Sequence, residues 1–362
     1  MNTTQGLSRV TLSGYAQAGV EQGLFSGAAI GYSAAGLDHY DYSHTVLPGS
    51  QTPFSSNTLF DIASITKSIL SVAVMQFIER GDLLLSTPVT KFIPTTGKGW
   101  DKITIQHLLA NSFKLDFNTE LYLLKPQEIR SVITSSNLVS LNNGLHYHNH
   151  NALLLGWLVE QLMQKPLAQV LRHEILQPAG MENTFFFSEI PGNRMKDVHP
   201  SFNEKLGSQP LVGMPHDQIS YQFARHGQVV GCAGIFSTAP DMIRFGKYTL
   251  RKAFMNPEKI FGLMLKNYHA AYGRTWGLGF DKHLPDYICP CFAEQTLVMT
   301  GFTGCSIWIQ PSHEKVLTIL SNGTYPVSEK QREKGVIGLL SPLREYRQTL
   351  ATELFYCKHC ME

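Results

Sequence analysis

Residues Leu59–Leu70 read LFDIASITKSIL, a serine followed three positions later by a lysine at the head of a long apolar run. If a helix begins at Ser64, Ser64 and Lys67 share one of its faces. The run continues through Val72, Val74, Met75, Phe77 and Ile78 to Arg80-Gly81, a helix stop signal. Apolar residues fall on every side of it, which predicts a buried central helix. A lysine inside such a helix is costly unless its charge, or the loss of that charge, is used. Free N–H groups and the dipole at the helix N-terminus favour developing negative charge there. Apolar surroundings push a lysine pKa down, so Lys67 is expected to accept the proton of the Ser64 hydroxyl. The same spacing recurs at Ser312 and Lys315, within PSHEK in a turn between strands. That second pair is expected to be solvated and inert.

On the N-terminal side, FSGAAIGYSAAGLDHYD (25–41) holds two short apolar stretches around a glycine turn and predicts a hairpin. The last third contains TLVMTG (296–301), CSIWIQP (305–311) and KVLTILSNG (315–323), a meander of three strands, then a helix from about Glu329 to Phe355. Between these ends lie helical segments around Thr104–Ala110 and Pro126–Ile133, and a long stretch over 151–176 interrupted at Pro166. Another helix follows Thr238, with Pro240 and Asp241 in its first turn. Strands at both ends with helices between them imply an α+β fold, in which an antiparallel sheet from both termini is flanked by helices and carries a helical insert. The expected organisation is one domain over 1–362, with a sheet part at about 1–60 and 275–362, a helical part at about 61–274, and a groove where they meet.

The 362 residues are 43% hydrophobic and 16% charged, as in an ordinary globular protein with a sizeable core. A net charge of +2 without a basic stripe argues against nucleic acid or a membrane surface as a partner. MNTTQGLSRVTLSGYAQAG lacks the apolar centre of a secretory signal, and no run approaches the ~18 apolar residues of a membrane span. A cytoplasmic location is therefore expected, or a periplasmic one if a leader had been removed. Cys289-Pro-Cys291 and Cys357-Lys-His-Cys360 are tightly spaced for a four-thiolate zinc site, and together with Cys232 and Cys305 they are expected to be free thiols. His146, His148 and His150 would share one face of an extended segment, yet no acidic or cysteine partner lies nearby, so ordinary loop histidines are expected. Nothing in the sequence calls for a metal or an organic cofactor.

Nucleophilic catalysis also needs a second proton carrier and donors for an oxyanion. Tyr147-His148-Asn149 is the sole Tyr-x-Asn of the chain. A tyrosine near a lysine can act as phenolate base and then as acid, and the asparagine can orient Lys67 and the substrate. In TLVMTGFTG, Thr300-Gly301 offers backbone for close approach and Phe302 an N–H for an oxyanion. Trp308, on the strand that follows, is expected in the core.

Taken together, these segments resemble the serine β-lactamase and penicillin-binding-protein-like hydrolases, in particular the class C β-lactamase and family VIII esterase branch. The resemblance covers most of the chain: LFDIASITKSILSVAVMQFIERGDLLLSTPVTKFIP, ITIQHLLANS, YHNHNALLLGWLVE, ILQPAGMENT, VVGCAGIFSTAPDMIRFG and VMTGFTGCSIWIQP. It implies Ser64 as acylated nucleophile, Lys67 as base, Tyr147 as proton shuttle, Asn149 as polar orienter, and an oxyanion hole from the N–H groups of Ser64 and Phe302. His216, in GMPHDQ, resembles a segment near the groove and becomes a candidate substrate contact. Three departures concern the pocket. Met299 stands where the family usually has Lys or His before Thr-Gly, which should weaken carboxylate-bearing substrates by about 1.5–3 kcal/mol. Asn143–Tyr147 is a short approach to the second motif, and the loop after HLLANS reads FKLD in place of a Ser-Gly-Leu turn. The expected function is a serine hydrolase acting on a small ester, amide or lactam, most like an esterase. The alternatives are an acyltransferase, a β-lactamase or DD-peptidase, and a non-catalytic sensor.

Overall fold

A computed structural model describes residues 12–251, 257–281, 296–325 and 329–355. Cys289, Cys291, Cys357 and Cys360 lie outside the described residues. After α1 (Tyr15–Glu21), the hairpin of the first stretch forms as β1 (Ala28–Ala34) and β2 (Leu37–Tyr42). Its two turn residues, Ala35 and Gly36, both have positive φ, 51° and 80°. This is the backbone a two-residue hairpin turn needs to match strand twist.

β3 (Phe60–Asp61) leads straight into α2 (Ile65–Arg80), where every residue from Ile65 to Phe77 is buried, Lys67 included. Gly81 ends α2 in the left-handed conformation at φ 84°. Next come α3 (Ile105–Ala110), β4 (Phe113–Leu115), α4 (Pro126–Ser135) and β5 (Leu138–Leu141). FKLD is therefore not a loop. Phe113 and Leu115 alternate inward with Lys114 outward, and β4 pairs antiparallel with β5. The long stretch splits as expected at Pro166, into α5 (Asn149–Met163) and α6 (Leu167–Leu171). β6 (Phe185–Phe186), α7 (Gln218–Ala224) and β7 (Ile235–Ser237) follow, and β3, β7 and β6 form a small sheet that anchors the start of α2.

After α8 (Ala239–Arg251) and α9 (Pro257–Leu265), the chain returns to the main sheet with β8 (Leu297–Thr300), β9 (Ser306–Gln310) and β10 (Lys315–Ser321). The sheet order is β2-β1-β10-β9-β8, antiparallel throughout, so strands from both ends of the chain interlock. α8 packs on one face, and a Cβ on Gly246 would fall 2.3 Å from a methyl of Val316. The other face is covered by α1 and the C-terminal helix Glu329–Phe355. Tyr32 there donates to the Leu354 carbonyl at 2.9 Å, and Trp308 is fully buried beside Leu350 and Phe355. Three layers result, and the end of β8 comes to lie against the start of α2. Among the described residues no helix is long and apolar enough to cross a membrane.

Candidate active site

Ser64 stands at a sharp bend between β3 and α2. The bend is made by Ala63, whose φ of 47° is unusual for a residue with a side chain and costs energy that its surroundings must supply. Two hydrogen bonds hold it: the Ala63 N–H donates to Asp61 Oδ1 at 2.9 Å, and the Ile62 N–H donates to the Ile235 carbonyl of β7 at 3.1 Å. Ser64 is half-buried, reachable from the groove but backed by the buried helix.

One turn on, Lys67 Nζ donates to Ser64 Oγ at 2.8 Å and to the carbonyl of Cys232 at 3.0 Å. The ammonium lies 5.3 Å from the centre of the Tyr147 ring. The expectation of a depressed lysine pKa is corrected by these neighbours. Burial does push the Lys67 pKa down, but Tyr147, Cys232 and Asp217 outweigh it, and the net shift is upward. A raised pKa keeps Lys67 in its ammonium form, and its Nζ points a donor at the Ser64 oxygen.

Tyr147 is 38% exposed and packs on Trp276, ring centres 5.2 Å apart. Trp276 is itself fixed by its indole N–H, which donates to the Leu109 carbonyl at 3.0 Å. Asn149 begins α5, and its amide donates at 2.7 Å to Asp217 Oδ2, not to Lys67. Asp217 caps α7 by accepting from the Ser220 N–H at 2.8 Å and the Ser220 hydroxyl at 2.9 Å. Asn149 thus acts on Lys67 at one remove, through a carboxylate whose charge favours the ammonium.

The third wall is the end of β8. A Cβ on Gly301 would fall 2.6 Å from the Ile62 carbonyl oxygen and 3.3 Å from Ala63 Cβ, so only glycine lets this strand abut the bend at Ser64. Thr303 Oγ1 locks the contact by donating to the Asp61 carbonyl at 2.8 Å. Among the described residues, the N–H groups of Ser64 and Phe302 have no hydrogen-bond acceptor, as donors kept for an oxyanion would not. The Phe302 side chain is 51% exposed and stacks on His216, ring centres 5.5 Å apart. His216 is buried, with Nε2 3.1 Å from the Phe202 carbonyl, and burial lowers its pKa, so it supports Phe302 as a neutral ring. Met299 is 2% exposed and belongs to the apolar cluster that contains Ile65 and Ile69. Thr300, half-buried, is the last residue of β8.

His150 lies in the first turn of α5, so the three histidines do not share an extended face. His148 and His150 stack at 5.0 Å, and burial between Phe113 and Phe117 pushes His150 down to about 3. Asp61, Cys232, Trp276 and Thr303 escaped the sequence reading, because each acts through a partner far away in the chain. Asp217 carried a local signal, an aspartate three residues before Ser220 at a helix start.

A β-strand that turns through a strained residue into a buried Ser-x-x-Lys helix, beside a glycine-ended strand, defines a class of serine-centred clefts. The sequence profile of the Beta-lactamase family matches residues 12–340, and the chain belongs to that family. It is 24% identical over 252 residues to PbpX of Bacillus subtilis (strain 168), covering 68% of this chain and 57% of that protein. The chain thus spans under two thirds of that relative's length. Esterase EstB of Burkholderia gladioli is 24% identical over 311 residues, covering 75% of this chain and 79% of the esterase. Among solved structures, EstCE1, described as a hydrolase with promiscuous acyltransferase activity, superposes with a TM-score of 0.70 at 18% identity. That likeness, over 92% of this chain and 97% of that one, is a likeness of fold.

Proposed function

We propose that the protein is a serine hydrolase that cleaves uncharged esters or amides through an acyl-enzyme on Ser64. The observation that carries this reading is the 2.8 Å contact between Lys67 Nζ and Ser64 Oγ at the head of a buried helix, with Tyr147 across the ammonium. Ser64 Oγ attacks the carbonyl carbon, and its proton passes to the Tyr147 oxygen, acting as a phenolate base beside the Lys67 ammonium. The carbonyl oxygen becomes an oxyanion held by the N–H groups of Ser64 and Phe302. As the bond to the leaving group breaks, Tyr147, the exposed member of the pair, returns the proton to the departing alcohol or amine. Water then attacks the acyl-enzyme and gives its proton to the Tyr147 oxygen, which passes it to Ser64 Oγ as the acyl bond breaks, releasing the acid with Ser64 restored.

One observation supports an uncharged substrate. Met299 puts a buried thioether where a cation would pair with a carboxylate. A cavity of about 410 Å³ beside Tyr147 and Asn149, lined by Leu115, Phe117, Leu121 and Ile219 and by the polar Lys114, Thr119, His148 and His150, leaves room for an acyl side chain. The name of EstB agrees with this reading. PbpX is described as a penicillin-binding protein, which favours peptide or lactam chemistry, and Met299 opposes it. That of EstCE1 keeps transfer to an alcohol as the second reading, since the acyl-enzyme is common to both.

Intact-protein mass spectrometry tests the proposal. Wild type and Ser64→Ala are incubated with a fluorophosphonate, an activated short-chain ester and a penicillin. Phosphonate labelling and ester turnover that vanish in the alanine variant, without a stable penicillin adduct, are the expected results. A fast penicillin adduct on Ser64 would move lactam chemistry to the front. No label on Ser64 from any probe would end the hydrolase reading.

A further inference from the structure

We infer that Asp61 is the positioning residue of the oxyanion hole, holding the Ser64 and Phe302 N–H groups in register without touching substrate. The inference rests on the hydrolase reading above and deepens it. Asp61 is 3% exposed and bonds to three separate segments. Its Oδ1 accepts from the Ala63 N–H at 2.9 Å, within the strained bend that presents Ser64. Its Oδ2 accepts from the His216 N–H at 2.8 Å, and the His216 ring is the platform on which Phe302 stacks. Its carbonyl accepts from Thr303 Oγ1 at 2.8 Å, one residue beyond Phe302, and more weakly from the Cys305 thiol at 3.5 Å. One residue therefore grips the peptide before the first oxyanion donor, the side-chain support of the second, and the loop that carries the second.

A space-filling role would not call for a carboxylate here. Burial pushes the Asp61 carboxyl up to about 6, Asp217 adds to the rise, and the hydrogen bonds from His216 and Ala63 only partly offset it. The fold carries an awkward charge at this point, and the geometry gives the reason. Two converging backbone N–H groups need two acceptor oxygens, and an ionised carboxylate supplies both. An asparagine is the same shape but offers one oxygen, so its NH₂ would have to face one of the two N–H donors.

The test compares wild type, Asp61→Asn and Thr303→Val in the full chain. It reads the rate of fluorophosphonate labelling at Ser64, kcat and KM for an activated ester, and the midpoint of thermal unfolding. Asp61→Asn is expected to slow labelling and kcat by about 10–100-fold, the scale of loss for a misplaced reacting group. KM should stay within about twofold, and the unfolding midpoint should stay near the wild-type value, because removal of the buried charge offsets the mispaired NH₂. Thr303→Val should show the same pattern more weakly. Wild-type labelling in Asp61→Asn, or a rate loss that merely follows a lowered midpoint, overturns the inference. If Asp61→Asn does not fold, Thr303→Val decides alone: slowed labelling supports the inference and a wild-type rate overturns it. Failure of wild type itself to be labelled removes the hydrolase reading and this inference with it. Labelled wild type with an equally fast Asp61→Asn removes the inference only.

Discussion

The chain carries the Ser-x-x-Lys pattern twice, and the two copies meet different fates. Ser64 is the cap residue of a 16-residue helix and Lys67 lies in its first turn, so the three-residue spacing becomes a 2.8 Å contact in a buried setting. Ser312 lies in the short 3-10 turn Pro311–His313, exposed, with its hydroxyl 2.9 Å from His313 Nδ1. Glu314 then turns the backbone through φ 48° and Lys315 enters β10, where its Nζ reaches the Leu354 carbonyl at 3.3 Å. The spacing brings two side chains together only while helical geometry lasts through the second. Burial makes the second difference. Lys67 has neighbours that fix its charge state, whereas Ser312 meets water.

Substitution of both serines is the hardest test of that contrast. Ser64→Ala should lower ester turnover by at least ~10³-fold, the scale seen when a nucleophile is removed. Ser312→Ala should leave turnover unchanged, and equal losses in the two variants would break the distinction. Next in size is the lysine pair. Lys67→Met should cost about 10²–10⁴-fold in kcat, as expected for a group that proton transfer relies on, while Lys315→Met should leave kcat at the wild-type value. Steady-state kinetics of the two variants side by side checks this.

The first copy is also built into its surroundings. Gly301→Ala would drive a Cβ to 2.6 Å from the Ile62 carbonyl. Denaturant unfolding should show a loss of about 1–3 kcal/mol, typical of overpacking, together with slower labelling of Ser64. The last effect is a pH dependence of stability, and it does not enter turnover directly. The folded-state pKa of Asp61 is raised from 3.8 to about 6, so its protonated form is the one the fold favours. That contribution is complete below about 3.8 and is lost as pH rises through about 6, leaving a cost of at most about 3 kcal/mol at neutral pH. Asp61→Asn should therefore gain stability relative to wild type between pH 5 and 7.5. A difference that stays flat over that range would remove the buried-charge account of Asp61.

Much of the architecture is legible in the order of the amino acids. The hairpin around Ala35-Gly36, the α2 helix with its stop at Gly81, the break at Pro166 and the meander over 296–323 all appear where hydrophobic periodicity and turn residues place them. These signals are local, carried by residues within a few positions of one another. FKLD goes the other way, because a three-residue strand depends on its partner at Leu138–Leu141. The proximity of Ser64, Lys67 and Tyr147 is also anticipated, through a motif and a family resemblance.

The charge state of Lys67 is not legible, and burial alone suggests the wrong direction. It depends on Tyr147, Asp217 and Cys232, which lie 80 to 165 positions further along the chain, with Tyr147 and Cys232 only a few ångströms away in space. Asp61 and Gly301 are hidden for the same reason, since one grips loops at 216 and 303 and the other abuts residue 62. Local pattern follows order along the chain and can be read from it. Electrostatics and close packing follow distance in space, so the residues that tune the serine become visible only once the sheet has brought both ends of the chain together.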